Sequence, residues 1–126
     1  MKTKRVLIVD DKETMRFLLS EVLRPLGQKI ETAESGEEAI QKLAEKNFDL
    51  VIIDFLICTT NGLELLQNIK KICPSLAIIV VNTNGFETEI LQKGALVCIP
   101  MPLNPSQIQL ISQLLLDGSF SSTKLS

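Results

Sequence analysis

The stretch DLVIID, residues 49–54, sets four consecutive branched aliphatic residues between two aspartates. It is too short for a helix and it does not alternate. A strand with one wet face alternates apolar and polar residues, whereas a strand covered on both faces reads as a continuous apolar run. DLVIID therefore predicts a strand inside a parallel sheet sandwiched between helices.

Three further runs have the same character: RVLIV (5–9), LAIIVV (76–81) and ALVCI (95–99). QKIETA (28–33) is a weaker strand between the first two. Helical spacing fills the intervals. In KETMRFLLSEVLRPLG the apolar positions Met15, Leu18, Leu19 and Val22 predict the inward stripe, and Pro25 with Gly27 ends the helix. Ser35 suits a cap, and Ala39, Ile40 and Leu43 form the next stripe. NGLELLQNIKKICP turns Leu63, Leu66 and Ile69 inward, with Pro74 as the stop. FETEILQKG holds only about two turns. In NPSQIQLISQLLLDG, Asn104 or Ser106 caps, Pro105 fits the first turn and Gly118 closes; Ile108, Ile111 and Leu115 point inward. The order βαβαβαβαβα predicts one α/β domain, a doubly wound parallel sheet, over residues 1–118. Residues 119–126, small and polar, form a loose tail. That tail is too short for an output domain, leaving a stand-alone protein or part of a longer one.

The bulk composition narrows function by exclusion. At 126 residues with 45 % apolar content, the chain can bury a core without staples. A net charge of −2 gives no grip on nucleic acid or anionic lipid. MKTKR is basic, but VLIV after it is too short for a signal peptide, and no apolar run approaches the ~20 residues that span a bilayer. Cys58, Cys73 and Cys98 are widely spaced and read as reduced packing thiols of a cytoplasmic protein. There is no histidine, which excludes Ser-His-Asp and Cys-His catalysis within the chain and argues against zinc.

In doubly wound sheets, ligands sit at the carboxyl ends of the strands. Asp10 and Asp11 follow the first strand and Asp54 ends the third, its neighbour in such a sheet. Three converging carboxylates repel one another, and a hard divalent cation with oxygen ligands, such as Mg²⁺, relieves them. A strand-end aspartate taken singly is as well explained as a turn or cap; three at adjacent strand ends are not. Nucleotide cradling has no support, because neither GxxxxGK[ST] nor GxGxxG is present. An Asp-x-Asp phosphatase would carry an acid where Leu56 stands.

VLIVDDKETMRFLLSEVLRPLG and FDLVIIDFLICTTNGLELL, with Gly62 eight residues after Asp54, resemble the receiver domain of two-component response regulators, of the chemotaxis-regulator kind. The similarity runs without gaps from Lys4 to Gly62 and, less closely, to Leu116. It implies a flavodoxin-like sheet of five strands in the order 2-1-3-4-5 with five helices. It implies that Asp54 accepts a phosphoryl group from a sensor histidine kinase or histidine phosphotransferase in a phosphorelay. Asp11, Asp54 and the backbone carbonyl of Leu56 would hold Mg²⁺ or Mn²⁺ directly, and Asp10 through a water. Such a chain is no enzyme beyond promoting its own phosphorylation and dephosphorylation.

Departures from the family pattern predict atypical switching. Where the family has a serine or threonine after strand 4, this chain has Asn82, with Thr83 next; either could donate to a phosphoryl oxygen. The family's lysine before a cis proline is Met101, which donates nothing, and its aromatic switch position is Cys98. Cys58 stands at a family proline, beside the acceptor. The alternative is a pseudo-receiver, a phosphorylation-independent interaction module. No charged residue occurs in the 23 positions from Gly94 to Leu116. Leu110 and Leu114 fall opposite the inward stripe, as an interface with an unnamed downstream protein or a homodimer contact through the last strand and helix. Phe17 projects from the first helix at a position the inward stripe does not use, and the resemblance implies that this helix helps dock the phosphodonor.

Overall fold

The computed structural model describes residues 3–57 and 62–118. Five parallel strands, β1 (Arg5–Val9), β2 (Lys29–Ala33), β3 (Leu50–Asp54), β4 (Ala77–Val81) and β5 (Val97–Ile99), form one sheet in the order 2-1-3-4-5. Between and after them run α1 (Glu13–Leu23), α2 (Gly36–Glu45), α3 (Gly62–Ile72), α4 (Glu87–Gln92) and α5 (Pro105–Leu116). A short 3-10 turn, Arg24–Leu26, follows α1 and ends at Gly27, whose φ of +71° suits glycine.

The continuous apolar runs have the expected cause. Successive side chains of a strand point to opposite faces, and here both faces are covered. Val6, Ile8, Leu50, Ile52, Ile79 and Val81 face Leu19 and Leu23 of α1 and Ile108 and Leu116 of α5. Leu7, Val9, Val51, Ile53, Ile78 and Val80 face α2, α3 and α4 through Leu43, Leu66, Ile69 and Ile90. Each such aliphatic side chain contributes about 1.5–3 kcal/mol on burial. β3 sits centrally and all five of its residues are buried, Asp54 included.

β1 spans the whole expected run, while β4 and β5 begin one and two residues later than theirs. Just before β3, Asp49 grips Arg5 twice: its N–H donates to the Arg5 carbonyl at 2.8 Å and its carboxylate accepts the Arg5 N–H at 2.9 Å. β5 is an edge strand paired only with β4, and its ladder covers Val97–Ile99. Two helical stripes also differ in phase. Leu18 is exposed, and the buried arc of α1 centres on Leu19 and Leu23. In α5 the fully buried line is Ile108, Ser112 and Leu116, with Ile111 and Leu115 flanking it half-buried. The start of α5 matches expectation: Asn104 Oδ1 accepts Ser106 N–H at 3.0 Å and Gln107 N–H at 3.3 Å, and Pro105 is the first residue. Ser35 caps α2 by accepting Glu38 N–H at 3.1 Å. Among the described residues no helix is long and apolar enough to cross a membrane.

Candidate functional site

The ends of β1 and β3 bring Asp10, Asp11 and Asp54 together, with one carboxylate oxygen from each lying within 4.8 Å of the other two. Asp10 is fully buried, Asp54 only 3 % exposed, and Asp11 half-buried. The turns after the two strands are built alike. Asp10 Oδ1 accepts the backbone N–H of Lys12 at 2.9 Å, and Asp54 Oδ1 accepts that of Leu56 at 2.9 Å. Each aspartate thereby closes its own turn two residues ahead. The Arg16 guanidinium reaches back from α1 to donate to the Asp10 carbonyl at 2.8 Å, fixing the turn from the helix side.

The two oxygens of Asp54 have different surroundings. Oδ1 takes the Leu56 N–H and, at 3.4 Å, the side-chain amide of Asn82 from the end of β4. Oδ2 lies 3.5 Å from the Lys12 ammonium, which is also 3.6 Å from Asp11 Oδ1. Asp10 Oδ2 is buried without a hydrogen-bond partner among the described residues.

Burial pushes the Asp10 carboxyl up to about 7; the Lys12 N–H bond opposes this, and the Asp54 charge adds to it. For Lys12, burial works to lower the pKa, but the charges of Asp54, Asp10 and Asp11 carry it above its ordinary value. A buried carboxylate oxygen without a donor, inside a group of three acids, fits a hard divalent cation. The residues present suit Mg²⁺ chemically: all are oxygen donors.

The remaining sequence candidates surround this cluster unevenly. Asn82 adopts a left-handed backbone, φ +63°, which aims its amide at Asp54. Thr83 is fully buried, and its hydroxyl donates to Glu87 Oε2 at 2.8 Å, tying the start of α4 to the end of β4. That bond and a backbone N–H hold the Glu87 carboxyl below its usual range. Cys98 is half-buried against the α4 side of the core, and burial raises its thiol to about 11. Met101 precedes a cis peptide to Pro102 and its side chain is exposed. Its backbone is clasped by Asn84, whose Oδ1 accepts Met101 N–H at 2.9 Å and whose amide donates to Met101 O at 3.3 Å. Phe17 is 67 % and Leu110 57 % exposed, while Leu114 is half-buried rather than outward. Cys58 lies outside the described residues, as does the 119–126 tail.

Three participants are not evident from sequence. Lys12 reads there as a solvated residue at a helix start, yet its side chain folds back over the acids. Glu87 and Asn84 belong to no motif that singles them out, yet they hold Thr83 and the Met101 backbone. Phe55, next to Asp54, meets Phe86 with ring centroids 5.1 Å apart, linking the loop after β3 to the start of α4.

Comparison with known proteins agrees with this geometry. The family model described as the response regulator receiver domain matches residues 6–113. The chain is 35 % identical over 109 residues to the chemotaxis protein CheY of Thermotoga maritima, covering 83 % of this chain and 91 % of that protein. It is 37 % identical over 116 residues to a protein-glutamate methylesterase/protein-glutamine glutaminase of Geobacillus kaustophilus, but spans only 33 % of that longer protein. Among solved structures, a CheY-like receiver domain protein from Methanospirillum hungatei superposes with a TM-score of 0.86 at 28 % identity, covering 93 % of this chain and 96 % of that one. The chain belongs to the response regulator receiver domain family.

Proposed function

We propose that Asp54 accepts a phosphoryl group from a phosphohistidine of a sensor kinase or phosphotransferase, with Oδ1 as the attacking atom. An Asp54 oxygen forms a bond to phosphorus while the P–N bond to the donor imidazole breaks, and the imidazole, already protonated from solvent at its other ring nitrogen, leaves as the neutral ring. The observation that carries this is the convergence of two donors on Oδ1. The Leu56 N–H and the Asn82 amide both donate to Asp54 Oδ1 and would pass to a phosphoryl oxygen bonded there. Asp11, Asp54 and the Leu56 carbonyl would hold a divalent cation, with Asp10 acting through a water. That ion, when bound, supplies neutralisation of the acids and of the phosphoryl oxygens. The protein's own share is positioning, so it is a phospho-acceptor that promotes its own phosphorylation and dephosphorylation at most.

Switching follows an atypical route. Met101 offers no donor, and Cys98 cannot act as a rotating aromatic. The Phe55–Phe86 contact, beside the acceptor and at the start of α4, supports a relay through that pair instead. The decisive experiment incubates the protein with acetyl phosphate and Mg²⁺ and reads intact mass. Wild type gains one phosphate and Asp54→Asn gains none; no gain in either rejects the acceptor role.

A second reading, a phosphorylation-independent interaction module, is favoured by one observation: Leu110 stands exposed on an uncharged α5. Sedimentation at rising concentration tests a homodimer on this face. Self-association abolished by Leu110→Glu supports it; a monomer in both proteins removes the homodimer.

A further inference from the structure

We propose that Lys12 is the resident counter-ion of the acidic site and that a divalent cation enters only by displacing it. The inference rests on the acceptor site described above and assigns to this chain's own lysine the metal-facing side of Asp54.

The placement is specific. The Lys12 ammonium lies between Asp54 Oδ2, at 3.5 Å, and Asp11 Oδ1, at 3.6 Å. These belong to the two carboxylates that would ligate a divalent cation directly. The tether is anchored by the same cluster, since Lys12 N–H donates to Asp10 Oδ1. Residue 12 is also the N-cap of α1, with an extended backbone (φ −99°, ψ +121°), so its side chain starts beside the acid pair. Among the described residues Lys12 alone makes an ion pair with Asp54, and Met101 brings no charge from the β5 side.

The contact is built for exchange. Both distances exceed the 2.7–2.9 Å of a charge-assisted hydrogen bond, so leaving breaks no short directional bond. The Lys12 side chain is 53 % exposed, so its ammonium is already in reach of water and gains hydration on leaving. One ammonium against three carboxylates leaves the site net negative, and a doubly charged ion outcompetes it by charge. Without that ion both oxygens of Asp54 are engaged: Oδ1 by Leu56 and Asn82, Oδ2 by Lys12. Displacing Lys12 frees the metal-facing Oδ2 and leaves the Leu56 and Asn82 bonds to Oδ1 in place, so what Lys12 fills until a divalent cation arrives is the metal seat.

The test is an NMR titration with Mg²⁺ alone at fixed ionic strength, following the Leu56 amide in wild type, Lys12→Gln and Lys29→Gln. Lys29 begins β2, at the opposite end of the sheet, and its variant changes net charge equally. Lys12→Gln is expected to bind Mg²⁺ about tenfold more tightly than wild type, a size set by removing a unit charge at close range near the surface. Lys29→Gln is expected to stay within about twofold, as a screened distant charge should. Equal midpoints in wild type and Lys12→Gln, equal tightening in both variants, or no binding in any protein overturns the proposal. Phosphorylation is read separately by mass. A wild type that takes no phosphate, with the Lys12→Gln shift intact, rejects the acceptor role and leaves the counter-ion standing. Normal phosphorylation with no shift does the reverse.

Discussion

A β-carbon placed on Gly62 would lie 2.6 Å from the carbonyl oxygen of Phe55 and equally close to its ring. Gly62 opens α3, and Phe55 follows the acceptor aspartate, so the glycine lets the helix start close under the Asp54 loop. Gly62→Ala gains about 1 kcal/mol of helix propensity and meets a backbone atom that has no rotamer to escape into. We expect net destabilisation of about 1–3 kcal/mol by urea denaturation. A stabilised variant would show that the loop after Asp54 yields freely.

Asn82 is held by two requirements that separate on substitution. Its left-handed φ of +63° is tolerated by asparagine and glycine and resisted by β-branched residues. Asn82→Gly keeps the backbone and removes the amide that reaches Asp54. It should fold normally but accept phosphate roughly tenfold more slowly, the worth of one hydrogen bond to a charged group. Asn82→Thr, which restores the family residue type, should cost about 1–3 kcal/mol of stability from backbone strain. Stopped-time mass measurements and thermal melts on the two variants check this pair.

Ser112 occupies the centre of the buried line of α5, between Ile108 and Leu116, and its hydroxyl has no partner among the described residues. An unsatisfied buried hydroxyl costs about 1–3 kcal/mol. Ser112→Ala removes that cost, adds helix propensity and leaves only a small void. The expected outcome is a melting temperature several degrees higher; a fall would mean that the hydroxyl has a partner after all.

Acid stability in chelator should carry the signature of Asp10. Burial first, and then the Asp54 charge, raise its pKa from 3.8 to about 7 against the Lys12 N–H bond. With the folded pKa above the unfolded one, the folded state holds the extra proton between those values. The unfolded state binds fewer protons there, so stability falls as pH rises from 3.8 to about 7 and then levels. One group contributes at most about 1.4 kcal/mol per pH unit. Urea midpoints at several pH values should show this slope in wild type and its loss in Asp10→Asn. An unchanged slope in the variant would assign it elsewhere.

The sheet was legible because its strands are covered on both faces, which writes their burial into uninterrupted runs such as LVII in β3. The acid cluster followed from strand ends in a parallel sheet. Helix phase was harder to read. Ser112 sits where a leucine would mark the centre of α5, and hydropathy alone shifts the stripe toward Leu115. Lys12 was not legible because a lysine at a helix start is ordinarily solvated; only the folded β1–α1 turn shows it lying over two carboxylates. The hydroxyl of Thr83 could be imagined facing the phosphoryl site, but it is bonded to Glu87, four residues away on the next helix. Side-chain direction at strand ends depends on the neighbouring helix, and no strand-local pattern encodes it.

The clasp between Asn84 and Met101 has a consequence for the chain's history and its redesign. A side-chain amide imitates one more rung of the ladder between β4 and β5, fixing the main chain at residue 101 from both its N–H and its carbonyl. The socket is therefore maintained by residue 84, while the plug at 101 extends into solvent and takes no part in holding it. A methionine there is an exchangeable fitting: the frame that would present a different side chain at that position is still assembled.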